Sequence, residues 1–167
     1  MAPKTVLIAD DDRDLVRVLQ MRFRQLDVQV VVAYDALSAL QLAHQERPDL
    51  VCLDVGMPGG SGLSVCEMLT ADKELSSIPT IMLTGRADEQ TIRRCHEMCA
   101  YYVLKSEDVW GRMEPIAREL LGMIPVPSVD TRTFAPERHG RGLSSLCKVL
   151  AQQAQANTPE DRETVLL

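Results

Sequence analysis

Four short apolar runs in this chain each end on a polar side chain able to do chemistry. Asp10-Asp11-Asp12 follow Val6–Ala9, Asp54 follows Leu50–Leu53, Thr84 follows Ile81-Met82-Leu83, and Lys105 follows Tyr102-Val103-Leu104. Carboxylates held a few ångströms apart repel one another, so a cluster of them either takes up protons or binds a cation. Ligands that are all oxygen favour a hard ion, and a shallow site that leaves the ion several waters suits Mg2+. A hydroxyl and an ammonium beside such a carboxylate form a receptor for a phosphoryl group carried on it. Singly, each residue has a plainer role: Asp12 is placed to cap a helix, where an anion meets the N-terminal dipole, and a threonine or lysine at a strand end is commonly a solvated loop residue. Only their joint placement points to a site.

Whether these side chains meet depends on the elements that carry them. The apolar runs Val6–Ala9, Val28–Ala33, Leu50–Leu53, Ile78–Leu83 and Tyr101–Leu104 alternate with segments of helical period, the pattern of a parallel sheet covered on both faces. Leu15, Val18, Leu19, Phe23 and Leu26 mark a first helix with one buried stripe. A second helix runs through Leu37, Leu40 and Ala43, a third through Leu63, Cys66 and Leu69, a fourth around Ile92 and Cys95, and a fifth through Ile116, Leu120 and Leu121. Right-handed crossovers limit such a βα series to a few topologies, and a doubly wound α/β fold with five parallel strands in flavodoxin-like order 2-1-3-4-5 is expected. Ligands of open α/β sheets bind beyond the carboxyl ends of the strands, where strand order reverses. In this order the first and third strands are neighbours, which would bring Asp10, Asp11 and Asp54 together.

The 167 residues carry 18 Lys+Arg against 24 Asp+Glu, a formal net charge of −6. An acidic balance is the wrong sign for a nonspecific nucleic-acid surface, so proteins or cations are the expected partners. The longest stretch without a charged residue, Val55–Cys66, is far short of the ~20 residues of a membrane span. Met-Ala-Pro-Lys-Thr at the start lacks the apolar segment of a secretory signal, and a cytoplasmic protein is expected. Five cysteines, an odd number without a C-x-x-C pair, fit a reducing compartment. Cys95, His96 and Cys99 lack an evident fourth metal ligand and read as helix residues.

The βα pattern stops at Gly122, before Pro125 and Pro127. Residues 122–167 hold five basic residues and five acidic ones, so the negative charge lies wholly ahead of them. This tail is expected to be largely mobile, with one amphipathic helix over 143–155 built on Leu143, Leu146, Cys147, Leu150 and Ala154. It is short for a DNA-binding domain and has no basic excess, and the helix is a candidate for docking or self-association.

Residues 4–121 resemble the receiver domain of bacterial two-component response regulators. The resemblance rests on Asp10-Asp11, on Pro48-Asp49-Leu50-Val51-Cys52-Leu53-Asp54-Val55-Gly56-Met57-Pro58 with Gly62 beyond it, on Thr84-Gly85, and on Tyr102 with Lys105. It implies that Asp54 accepts a phosphoryl group from the phosphohistidine of a histidine kinase or histidine phosphotransfer protein. It also implies Mg2+ held by Asp11 directly, by Asp10 through water, by Asp54, and by the carbonyl of Gly56. Thr84 and Lys105 match the residues that bind the phosphoryl oxygens, and Tyr102 matches an aromatic that turns inward as the threonine moves. The implied output is a protein effector reading the face of the fourth helix, fifth strand and fifth helix, with a homodimer formed on phosphorylation as a candidate; the domain is regulatory rather than an enzyme. Proline usually follows the lysine in this family, often through a cis bond, whereas Ser106 stands here. A cis bond before a non-proline residue costs about 2.5–4 kcal/mol, so a trans bond and a differently placed lysine are expected. Gly59-Gly60-Ser61-Gly62 suggests a mobile loop beside Asp54. Two alternatives compete: a receiver-like scaffold that binds partners without phosphorylation, and a haloacid-dehalogenase-like phosphatase, whose nucleophile loop Asp10-x-Asp12 resembles although Asp14 stands where Thr or Val is usual.

Overall fold

Runs of Val, Ile and Leu favour the pleated strand because branched side chains pack well on a surface buried on both sides. A computed structural model describes residues 3–86 and 88–123; the tail beyond Met123, with the helix expected at 143–155, lies outside the described residues. Ten elements alternate along the chain: β1 (Thr5–Ala9), α1 (Arg13–Arg24), β2 (Gln29–Ala33), α2 (Ala36–Glu46), β3 (Leu50–Asp54), α3 (Gly62–Ala71), β4 (Thr80–Thr84), α4 (Glu89–Glu97), β5 (Tyr101–Leu104) and α5 (Val109–Leu120). The sheet order is β2-β1-β3-β4-β5, all neighbours parallel. Register aligns Ile8 with Val32 on one side and Cys52 on the other, Cys52 with Ile81, and Ile81 with Tyr101. Strand ends therefore fall level, and the residues just after β1, β3, β4 and β5 share one edge.

Period-2 alternation sends successive strand residues to opposite faces. Leu7, Ala9, Val51, Leu53 and Met82 join Ala39, Ala43, Cys66, Leu69 and Cys95 in one buried cluster, so α2, α3 and α4 cover that face. On the other face α1 and α5 meet through Phe23 and Trp110, their rings edge to face at 5.1 Å between centroids.

Two helices bury most of the expected stripe but leave one of its members outside: Leu19 and Phe23 of α1 and Ala43 of α2 are buried, with Leu15, Leu26 and Leu40 half-buried. In α1 the buried residues are Val16, Leu19 and Phe23, while Val18 is 47% exposed. Apolar residues in α1 occupy two helical phases, and contact with β1 and β2 selects the one that keeps Arg17 and Arg24 in water. In α2 the buried residues are Ala36, Ala39 and Ala43, and Leu37 is 64% exposed. Alanines let the helix axis approach β1, β2 and α3 closely, and the larger side chain is left outside. The stripe of α3, Leu63, Cys66 and Leu69, is buried as expected.

Helix starts are capped by short polar side chains that accept first-turn amides. Asp12 Oδ1 accepts from Asp14 N at 3.1 Å and Leu15 N at 3.0 Å, and Asp35, Ser61, Asp88 and Asp108 cap the four helices that follow.

Candidate functional site

Each strand delivers one polar group to the common edge. Asp10 follows β1 and is fully buried, its backbone N–H donating to the Ala33 carbonyl at 3.2 Å. Asp54 ends β3 and is 5% exposed. Asp11 stands on the solvent side. One carboxylate oxygen from each of Asp10, Asp11 and Asp54 lies within 4.8 Å of the others. Residues more than forty positions apart along the chain thus form the acidic cluster.

Lys105 reaches this cluster from β5. Its Nζ stands 2.7 Å from Asp10 Oδ2 and 3.0 Å from Asp54 Oδ1, and its backbone N–H continues the β4–β5 ladder by donating to the Thr84 carbonyl at 2.8 Å. No cis peptide bond occurs among the described residues, so the bond to Ser106 is trans as expected. The lysine nevertheless arrives between the two carboxylates. A four-carbon stem absorbs the change in backbone path.

Burial pushes the Asp10 carboxyl above its ordinary range; Asp54's charge adds to the rise, and Lys105 and the Asp12 N–H only partly offset it. For Lys105, burial alone would lower the ammonium's pKa, but its close ion pairs with Asp10 and Asp54 outweigh it and the net direction is up. Oδ1 of Asp10 accepts from Asp12 N at 2.9 Å. Oδ2 has the Lys105 charge beside it but no aligned hydrogen bond among the described residues. A buried carboxylate oxygen left in that condition, facing two more carboxylates, has lone pairs to offer a cation. The all-oxygen donor set suits a hard divalent ion.

Thr84 is buried at the end of β4, and its side chain is engaged locally. The hydroxyl donates to the Arg86 carbonyl at 2.6 Å and accepts from the Arg86 N–H at 3.1 Å. Tyr102 is half-buried on β5, its ring 6.2 Å from that of His96 on α4, and burial raises its phenol pKa. The segment after β3 passes Gly56, where an added Cβ would sit 4.0 Å from Asp54 Oδ2, and is tied back at its far end: Gly62 N donates to the Val55 carbonyl at 3.1 Å and Ser61 Oγ to the same oxygen at 3.2 Å. A Cβ on Gly62 would stand 2.0 Å from the Asp54 carbonyl oxygen, so only glycine lets α3 begin this close to the acidic strand end. Sequence reasoning gave no such role to Gly62, and none to Arg86, whose part is played by backbone atoms that carry no signal in residue type.

The family model described as the response regulator receiver domain matches residues 6–109. The chain is 42% identical over 83 residues to the probable transcriptional regulator ycf27 of Guillardia theta, covering 50% of this chain and 32% of that protein. It is 36% identical over 86 residues to the alkaline phosphatase synthesis transcriptional regulatory protein PhoP of Bacillus subtilis, covering 52% and 35%. The matched part thus spans about a third of those relatives' length. Among solved structures, the Mn(2+)-bound form of response regulator Rcp1 shares the fold, with a TM-score of 0.67 at 24% identity over 75% of this chain and all of that one.

Proposed function

The chain belongs to the response regulator receiver family, and from that premise we propose that Asp54 is its phosphoacceptor, charged from the phosphohistidine of a histidine kinase or histidine phosphotransfer protein. The observation that carries the reading is Lys105 Nζ set between Asp10 and Asp54 at the carboxyl edge of the sheet. An Asp54 oxygen attacks phosphorus, the O–P bond forms as the donor's N–P bond breaks, and the freed imidazole takes a proton. Lys105 holds the developing charge on the phosphoryl oxygens. Asp10, Asp11, Asp54 and the Gly56 carbonyl would hold Mg2+, which supplies charge neutralisation to the transferring group.

Thr84 donates its hydroxyl to the new phosphate and so releases the Arg86 carbonyl. Tyr102 on β5 follows, and the α4–β5–α5 face changes shape for a protein effector. Phosphorylation biases an existing two-state equilibrium by the contacts it makes in one state only. Residues 4–121 form this regulatory unit. No helix among the described residues is long and apolar enough to cross a membrane.

The test is intact-mass spectrometry after acetyl phosphate and Mg2+, wild type beside Asp54→Ala. A single phosphoryl increment on the wild type and none on the variant is expected. An unshifted wild type favours a scaffold that binds partners without phosphate, and an increment retained by Asp54→Ala and mapped to Asp10 favours a phosphatase-type nucleophile.

A further inference from the structure

The helix that must respond to Thr84 is α4, and it has the thinnest anchorage of the helices. Cys95 is its one fully buried side chain, against five buried residues in α3 and four in α5. Upstream, the chain entering α4 is fastened by the Thr84 hydroxyl on both backbone groups of Arg86. Downstream, Cys99 closes the helix at φ 54°, a left-handed conformation that costs a non-glycine residue. Between these ends Arg94 Nη2 pairs with Glu67 Oε1 on α3. The ion pair adjoins Cys95 and Cys66, two members of one buried cluster, and so closes the rim of the α3–α4 packing.

We infer that the Glu67–Arg94 pair is the tie that holds α4 against α3 in the unphosphorylated protein, and that its strength sets how readily Asp54 is phosphorylated. The inference rests on the reading of Asp54 as phosphoacceptor. When Thr84 turns to a phosphate, the upstream fastening is lost, and the resistance left to α4 includes the packing around Cys95, the His96–Tyr102 ring contact and this pair. Pairs as exposed as this one shift an equilibrium by roughly 1.4- to 5-fold, enough to tune a switch without locking it. Linkage makes the effect reciprocal: whatever loosens α4 favours the phosphorylated state by the same factor.

The full-length chain is compared as wild type, Glu67→Arg, Arg94→Glu and the double charge swap. Two readouts are used: amide hydrogen exchange over residues 89–97, and the acetyl phosphate concentration that half-saturates labelling with Mg2+ present. Each single reversal is expected to speed α4 exchange about two- to fivefold and to lower half-saturation by a like factor, and the swap to restore both. Exchange unchanged by the single reversals, a swap that fails to restore it, or exchange that moves without half-saturation each overturns the inference. The exchange measurements are repeated on Asp54→Ala, where the same pattern is expected; a wild type that takes no phosphate would sink the Asp54 reading, while exchange would still judge the tie.

Discussion

Asp10 is the most costly side chain of the site. It is fully buried, and its pKa is raised chiefly by that burial, so the folded state holds the proton more tightly than the unfolded chain does. Stability therefore falls as pH climbs from the unfolded value of 3.8 through the raised folded one, and above that window the charged group opposes folding in full. Lys105 has the opposite consequence: with its folded pKa above 10.5, its contribution is complete below that value and is lost as pH rises through the folded one. In protein kept metal-free with a chelator, Asp10→Asn removes a buried charge with an unaligned oxygen. It should stabilise the fold by about 1 kcal/mol at neutral pH, measured by urea denaturation. The gain should vanish below about pH 4, where the unfolded carboxyl is protonated as well. A variant no more stable than wild type at pH 7 would mean that Lys105 already compensates Asp10 fully.

Individual elements turn on a few contacts that substitutions can isolate. At the start of α3, Gly62→Ala forces a methyl into the Asp54 carbonyl, 2.0 Å from the ideal Cβ position. Overpacking of this kind costs about 1–3 kcal/mol, and moving the end of β3 should also slow labelling from acetyl phosphate. At the far edge of the sheet Asp49 ties β1 to β3, accepting from Lys4 Nζ at 2.8 Å and Thr5 N at 2.9 Å. Burial would raise its pKa, but these two partners outweigh it and hold the carboxyl low. Its contribution is present above the unfolded pKa and lost as pH falls through the folded one. Asp49→Asn should thus cost at most about 1 kcal/mol at neutral pH, since Lys4 is half-exposed. The loss should fade in acid, with labelling unchanged. These elements also mark how far the sequence could be read. Strand ends were legible because each apolar run stops on a charged or hydroxyl residue, and the order 2-1-3-4-5 followed from the βα alternation. The inward faces of α1 and α2 were legible only in part: Leu19, Phe23 and Ala43 are buried as expected, but Val16 and Val18 are equally apolar and only the sheet distinguishes them, and Leu37 gives way to the alanines. Nor could residue types reveal that the Thr84 hydroxyl is held by Arg86 backbone atoms, or that Lys105 would reach its partners without a following proline.

At the scale of the whole molecule, the level strand ends turn mutual repulsion into an affinity. Three carboxylates from two strands are held within 4.8 Å by a fold assembled for other reasons, and the energy stored there is available to whatever cation enters. An ion that binds the native state and not the unfolded chain stabilises by RT ln(1 + [L]/Kd), about 2.7 kcal/mol at a hundredfold excess over Kd. For a folded unit of this size that corresponds to a rise in Tm of about 10 °C. Trp110, the chain's single tryptophan, sits edge-on to Phe23 between α1 and α5 and reports global unfolding by fluorescence away from the ion. Melting curves of the wild type should climb with rising Mg2+, by about that amount at a hundredfold excess over Kd. In Asp11→Asn the curve should need a much higher concentration, because a carboxylate has been lost while the buried pair and its lysine remain. Equal responses from the two proteins would show that Mg2+ acts on the general negative charge of the surface, and the acidic cluster would then lose its standing as the ion's site.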